Sequence, residues 1–195
     1  MIRIATLAAA GLLAAACTET VTLAPAGVYS ASSYAFDLQR DWSHIPDGLA
    51  PSVTVDQLTV DGPQLNQVYI IEQLADGAAL IETAEEDDPA PAFRAGMTEL
   101  DVVEFLTDSL SAVGLEDVAA EDVRPAPFAE ASGVRFEFTA RRANGLAVRG
   151  AAAASSAGDS LDGLVFLAPA EHYFTRYQSE VEAMFDTARR GAQES

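Results

Sequence analysis

The sequence has no lysine, one cysteine and only two histidines, His44 and His172, among its 195 residues. Without lysine there is no Walker-type phosphate loop, so a nucleotide site of that kind is excluded. A single cysteine excludes disulfides within the chain, and two histidines so far apart lack the spacing of a zinc site. We therefore expect no cofactor, no metal and no nucleotide.

Basic residues are also scarce. Eleven arginines stand against 30 acidic residues, for a formal net charge of −19. Because phosphate backbones demand a basic surface, this balance excludes a nucleic-acid partner. Hydrophobic residues make up 49% of the chain, which is enough for a core, and the length fits one domain with short appendages.

Motifs for catalysis are missing from the sequence. A nucleophilic triad would have to use one of the two histidines as its base, and no G-x-S-x-G elbow is present. Acidic side chains at residues 85–88, and the pair Asp159 and Asp162, could hold calcium, but neither group has EF-hand spacing. We expect a non-enzyme in which residues 85–88 form a solvated loop, with a weak calcium site as the alternative.

The N-terminus has the pattern of an export signal. Arg3 precedes a nearly continuous apolar run at residues 4–16, shorter than the about 20 residues that a membrane-spanning helix needs. Residues 13–17, Leu-Ala-Ala-Ala-Cys, resemble the lipobox of bacterial lipoproteins, although Ala14 stands where that family usually has leucine. An ordinary secretion site after Ala16 is the alternative.

The lipobox resemblance has consequences for location. It implies cleavage before Cys17 and attachment of diacylglycerol to its thiol. In the sorting rule of enteric bacteria, Asp after the cysteine retains a lipoprotein in the inner membrane, so Thr18 implies the periplasmic face of the outer membrane of a Gram-negative bacterium. The membrane is then a partner through two or three acyl chains, without help from the acidic surface.

Composition divides the chain into four parts. Residues 1–16 are the expected lipoprotein signal peptide, residues 17–33 a lipidated cysteine and tether, residues 34–191 a single domain, and residues 192–195 a tail. The tether is rich in Thr, Ser, Ala and Gly, which is typical of a flexible linker. A short strand at residues 21–23 that joins the sheet is the alternative.

Apolar residues that alternate with polar ones predict a series of strands, several of them joined by short turns. The predicted strands cover residues 53–60, 65–74, 118–123, 134–140, 146–154 and 161–167. The first two should pair as a hairpin. Asn144 followed by Gly145 predicts a primed hairpin turn between the fourth and fifth strands.

Two helices are predicted from apolar residues at spacings of three and four. The first begins at Thr98, which Asp101 completes as a capping pair, and ends at Gly114. Its apolar stripe consists of Leu100, Val103, Leu106, Leu110 and Val113. The second ends with cations at residues 189–190 near its negative pole. Its stripe consists of Tyr173, Tyr177, Val181, Met184, Phe185 and Ala188.

These elements predict an α+β fold in which an antiparallel, meandering sheet is covered by two main helices. The order of elements over residues 34–190 resembles the PsbP-like fold. The features that suggest this resemblance are Trp42, the first helix, the turn at Asn144 and the end of the last helix. This resemblance implies a fold and no functional residue. The strings at residues 59–66 and 168–173 resemble uncharacterised lipoproteins of Gram-negative bacteria, whose activity is equally open.

The densest cluster of aromatic and titratable residues is His172, Tyr173 and Tyr177. We add Trp42, an aromatic residue from the early part of the chain, to this candidate site. One interpretation is a ligand or partner site with polar tips in an apolar pocket. The other is that the aromatic rings pack the second helix while His172 makes a local hydrogen bond.

Four arginines near the Asn144 turn have two interpretations as well. They could form a positive patch or pair with Glu137 and neighbouring acids. The four are Arg135, Arg141, Arg142 and Arg149.

We therefore expect a lipid-anchored envelope protein that acts without catalysis, through contacts with an envelope partner. The alternative is a small-molecule binding module or weak hydrolase that uses the region of His172 and Tyr173.

Overall fold

A computed structural model describes residues 20–46, 54–81 and 89–191. The expected signal sequence, Cys17, the acidic run at residues 85–88 and the tail lie outside the described residues. The bounds of the elements are as follows: β1 (Thr22–Ala24), β2 (Gly27–Ser30), β3 (Tyr34–Leu38), β4 (Trp42–Ile45), β5 (Asp56–Thr59), β6 (Gln67–Ala75), α1 (Glu99–Ala112), β7 (Leu115–Pro125), β8 (Val134–Arg142), β9 (Ala147–Ala157), β10 (Ser160–Pro169), α2 (Thr175–Thr187) and β11 (Arg189–Arg190).

The strands form two antiparallel sheets. The main sheet has eight strands in the order β1-β4-β5-β6-β10-β9-β8-β7, and a small sheet has the order β11-β3-β2. The predicted antiparallel sheet with two helices is confirmed, and so is the predicted pairing of β5 with β6. The small sheet was not predicted, because β2, β3 and β11 have only four, five and two residues.

Two hydrophobic clusters lie on opposite faces of the main sheet. Residues of α1 pack on one face, and residues of α2 and β3 pack on the other. Successive side chains of β10 alternate between them, with Val165 in the first cluster and Phe166 in the second. The domain therefore has three layers, and its central strands are buried on both faces.

Strand β9 lies between these layers and is built from small residues. Ala152 belongs to the α1 cluster and Ala153 to the α2 cluster. A Cβ atom at Gly150 would lie 2.1 Å from Cζ of Phe138 and 2.3 Å from the carbonyl oxygen of Phe166. Glycine is therefore required at position 150, because the Phe138 ring occupies the space of a side chain.

Helix α1 begins as predicted. Thr98 and Asp101 form a capping box in which the Thr98 amide donates to Asp101 Oδ2 at 2.8 Å. These hydrogen bonds hold the pKa of Asp101 below its usual value. The prediction that Leu100 belongs to the buried stripe of α1 is wrong, because this residue is 65% exposed. At about 100° per residue it lies roughly 180° from the buried Ser109, so the buried face is rotated away from it.

The C-terminal segment departs from the predicted long helix. Residues 170–174 form an irregular turn, α2 ends at Thr187, and the following Arg189–Arg190 pairs with β3 as a strand. The prediction that these arginines end the helix is therefore wrong. The backbone hydrogen bonds of a sheet, together with an ion pair from Arg189 to Asp37 at 3.0 Å, hold the chain in the extended form.

The loop from β8 to β9 falls at the predicted position but has another conformation. Gly145 has a φ of +83°, whereas Asn144 is not among the residues with positive φ. Both primed turns need a positive φ at the first central position, which Asn144 would occupy. The amide of Gly145 instead donates to the carbonyl of Arg142 at 2.8 Å, in a longer loop with glycine in the left-handed region.

Strand β7 forms one edge of the main sheet and is longer than predicted. Most of its side chains are exposed, and its register with β8 shifts twice. Asp117 and Asp122 lie at these shifts with φ values of 52° and 50°. Bulges and charges at an edge strand discourage pairing with other chains.

The expected tether is partly folded. Strands β1 and β2 lie within residues 17–33, and β1 pairs with β4 through Thr22 and His44, Leu23 and Ser43, and Ala24 and Trp42. The sheet therefore begins well before residue 34, as the alternative of a strand at residues 21–23 proposed. The sequence indicated this strand only as an alternative, because it has just three residues.

Candidate functional site

The four predicted site residues separate into two pairs. Trp42 and Tyr177 are buried on the α2 side of the sheet, with ring centroids 6.0 Å apart. His172 and Tyr173 lie in the irregular turn before α2, with ring centroids 5.1 Å apart and the rings edge to face. His172 is exposed and Tyr173 is half-buried, so the four residues do not line one pocket.

Tyr177 joins α2 to the turn between β5 and β6. Its hydroxyl donates a hydrogen bond to Asp61, and Asn66 Nδ2 donates to the same carboxylate oxygen at 2.9 Å. Asn66 Oδ1 in turn accepts from the Val60 amide at 2.7 Å. These bonds give the string at residues 59–66 a structural role, because they build the turn and attach it to the helix.

Burial, followed by the interaction with Asp61, raises the pKa of Tyr177 to about 12. The hydroxyl therefore stays protonated near neutral pH and is a donor to the carboxylate rather than an acid or base. Arg40 lies over the ring at 5.4 Å from its centroid and pairs with Glu180 at 2.6 Å. Tyr177 and its neighbours thus stabilise the packing of α2.

The second candidate is a polar groove that the sequence did not indicate. It has a volume of about 440 Å³ and lies where the small sheet meets the ends of β6, β9 and β10. We call this cavity the polar groove. Its polar lining residues are Ser32, Ser33, Gln73, Ser155, Ser160, Asp162 and Arg190.

Asp162 is the organising side chain of the polar groove. One of its carboxylate oxygens accepts from Ser33 Oγ at 2.7 Å and from the Gln73 amide at 2.8 Å. Ser33 and Asp162 are 129 positions apart in sequence, so no local motif could have revealed the contact. Arg190 reaches the groove because β11 pairs with β3.

The backbone around the polar groove is strained. Gln73 has a φ of 45° and Ala129, which also lines the groove, has a φ of 47°. Residues other than glycine rarely adopt such values, and strained positions of this kind cluster at functional sites. Because His172 also has a positive φ, of 70°, strain does not separate the two candidates, and the volume and polar lining of the groove make it the stronger one for ligand binding.

Negative charge dominates the neighbourhood of the groove. Burial, and then the charges of Glu72 and Asp162, raise the pKa of Tyr34 well above its usual value. Burial, and then Asp56 and Glu72, raise the pKa of Tyr29 in the same way. The Tyr34 hydroxyl donates to the Gly163 carbonyl at 2.8 Å, which ties the small sheet to β10.

His44 lies on the same side of the sheet as Asp56. Its Nε2 is 2.7 Å from Asp56 Oδ2, and its Nδ1 is 3.4 Å from Thr22 Oγ1. Hydroxyl, imidazole and carboxylate thus lie in series, but the hydroxyl contact is longer than a typical hydrogen bond. The series joins β1, β4 and β5, and its clearest role is to hold the first strand on the sheet.

The arginines near the β8–β9 loop form pairs, as the second interpretation of the sequence held. Arg135 pairs with Glu182 and with Asp186, the latter at 2.7 Å. Arg149 pairs with Glu137 at 2.6 Å. Two more contacts complete the set, from Arg141 to Asp117 and from Arg142 to the Gln64 side chain.

The described residues offer neither a metal site nor a membrane-spanning helix. Across residues 20–46, 54–81 and 89–191, no three histidine, cysteine or acidic side chains are placed to hold a metal ion. In the same part of the chain, neither helix is long and apolar enough to cross a membrane.

Comparison with protein-family models and with curated proteins finds no match for this chain. Among solved structures it is similar to the solution structure of cyanobacterial PsbP (CyanoP) from Synechocystis sp. PCC 6803, with a TM-score of 0.49 and 12% sequence identity. The match covers 95% of this chain and 99% of that chain. At this TM-score and identity, the likeness carries no residue, ligand or activity over to this chain.

Proposed function

We propose that the chain is an envelope lipoprotein, anchored through Cys17 at the periplasmic face of the outer membrane of a Gram-negative bacterium. The folded domain, for which we propose a PsbP-like arrangement, acts without catalysis as a module that contacts an envelope partner. The sequence supports this proposal with the apolar leader, the Leu-Ala-Ala-Ala-Cys string and Thr18 after the cysteine. The single cysteine of the chain also lies at the position where a lipobox needs it.

The observation that carries the proposal is the position of β1. Thr22, its first residue, is the fifth residue after Cys17. Five residues span at most about 18 Å. A lipid at Cys17 would therefore hold the domain directly at the membrane surface, rather than at the end of a long tether, and would favour work on partners in or near the same bilayer.

The test is to express the full chain in a Gram-negative host and follow palmitate incorporation and the mass of the mature N-terminus. We expect a diacylglycerol adduct on Cys17, and loss of both label and membrane association in Cys17→Ala. Because the chain has no other cysteine, the loss reports this position alone. A mature N-terminus at another residue, or label that survives the substitution, would refute the anchor.

A second candidate function is the binding of a small polar ligand in the polar groove. It is favoured by the combination of an oriented carboxylate at Asp162, a guanidinium at Arg190 and hydroxyls of four serines. Such a lining suits a zwitterion or a polyhydroxylated molecule, which offers donors to Asp162 and acceptors to Arg190. This site replaces the region of His172 as the place where a ligand would bind.

This second candidate is tested by thermal shift of the full chain with free amino acids and with simple sugars. Stabilisation that disappears in Arg190→Gln would support it, because Arg190 takes part in β11 through its backbone while its side chain is exposed. Arg94→Gln, at an exposed position in the segment before α1, is a matched control. Equal melting temperatures with and without every ligand would count against the groove as a site.

A further inference from the structure

We propose that Val21 and Leu23 form a membrane-docking patch that inserts into the headgroup region next to the lipid anchor and fixes the orientation of the domain. The proposal rests on the proposed function, since it needs the lipid at Cys17. It adds a second, side-chain contact with the bilayer.

The exposure of these two residues runs against the usual pattern of a strand. Val21 is 56% and Leu23 is 66% exposed. On the other side of the strand, Ala24 is buried, and Thr22, which is itself exposed, lies 3.4 Å from His44 Nδ1. A strand with one wet face normally places its large apolar residues inside and its polar residues outside. Here the large apolar residues point outward and offer a small apolar surface at the edge of the sheet.

The distance to the anchor identifies the occupant as the bilayer. Val21 is the fourth residue after Cys17, so it lies within about 14 Å of the acylated thiol. The acyl chains place that thiol at the boundary of the hydrocarbon core, and the headgroup region beyond it is about 5 to 8 Å thick on each side. Val21 and Leu23 are therefore within reach of the interface whenever the anchor is inserted.

The edge position of β1 leaves room for this contact. β1 is the first strand of the main sheet, with β4 as its neighbour on one side. An acidic side chain lies just beyond the end of β1, where the Asp41 carboxylate accepts a hydrogen bond from the Ala26 amide at 2.9 Å. With a chain of net charge −19, docking would rely on apolar insertion and favour zwitterionic over anionic lipid.

The experiment uses the lipidated full chain in vesicles of phosphatidylcholine with brominated acyl chains. Leu23→Trp and Val21→Trp place a fluorophore in the patch, and Leu146→Trp is the matched control. Leu146 is 41% exposed at the β8–β9 loop, several strands away from β1. The native Trp42 is 1% exposed and contributes a constant background.

We expect blue-shifted emission and quenching by the brominated chains in both patch variants, and neither effect in Leu146→Trp. Patch variants that behave like the control, in samples whose mass shows a diacylated Cys17, would overturn the docking patch and leave the anchor standing. An unacylated Cys17 would overturn both. Anionic phosphatidylglycerol in the vesicles should reduce the quenching at low salt.

Discussion

Truncation of Leu106 should destabilise the domain far more than the same truncation at Leu100. Both leucines lie on α1, but Leu106 is 1% and Leu100 is 65% exposed. Removing three carbons from Leu106 forfeits about 2.4 kcal/mol at about 0.8 kcal/mol per buried methylene. The cavity left behind adds to this, so the loss should be about 3 to 4 kcal/mol, within the range for such substitutions.

The assay is thermal and urea unfolding of Leu106→Ala and Leu100→Ala, followed by circular dichroism and by Trp42 fluorescence. Trp42 is the only tryptophan and lies in the cluster on the opposite face of the sheet from Leu106. Because α1 and Trp42 share one sheet, both signals should shift together. For a domain of this size, 3 kcal/mol corresponds to roughly 6 to 12 °C in melting temperature.

Leu100→Ala should lie within about 0.5 kcal/mol of the wild type, as expected for an exposed position. If the two variants melted alike, the register of α1 on the sheet would be wrong. If only circular dichroism shifted in Leu106→Ala, the two faces of the sheet would unfold independently, which would contradict the three-layer description.

Three further predictions concern packing, pH and salt. Gly150→Ala should cost about 1 to 3 kcal/mol through overpacking against Phe138, and an unchanged urea midpoint would refute the close contact. Burial raises the pKa of Tyr69 and Tyr177 from 10.0 to about 12. In the unfolded chain tyrosines lose their protons near pH 10, while in the folded domain these two keep theirs up to about pH 12. Their contribution to the free energy of unfolding is therefore fully present below pH 10 and should fall between pH 10 and 12. Melting temperatures that stay constant across this window would contradict the prediction. At a net charge of −19, added salt should raise the melting temperature by screening self-repulsion, and melts that coincide at low and high salt would exclude this explanation.

The parts of the fold that the sequence predicted are those whose signals are local. The capping pair of Thr98 and Asp101 is fixed by residues three apart, and the alternation through Phe136 and Phe138 needs only one strand. The loop at Gly145 was placed correctly because glycine is required for a positive φ. The conformation of this loop differs from the predicted two-residue primed turn, because a longer loop with glycine in the left-handed region also joins two twisted antiparallel strands.

The parts that were missed depend on contacts between distant segments. Ser33 and Asp162 are 129 positions apart, so the polar groove exists only once the small sheet has been docked. Arg189 could end a helix or extend a strand, and its partner Asp37 decides between them. For the same reason, two aromatic residues close in sequence have different burial: Tyr177 is fully buried in the α2 cluster, and Tyr173 is half-buried at its edge.

The run of four alanines at residues 151–154 of β9 restricts how this domain can diverge. A larger side chain at residue 152 would press on the cluster that α1 packs, and one at residue 153 would press on the cluster that α2 packs. Neither layer can yield without losing its contacts with the sheet, because protein interiors are close-packed. An enlargement on this strand therefore requires a simultaneous reduction in a facing residue. We expect related sequences to vary freely on the exposed side of α1, and on β7, long before they vary here.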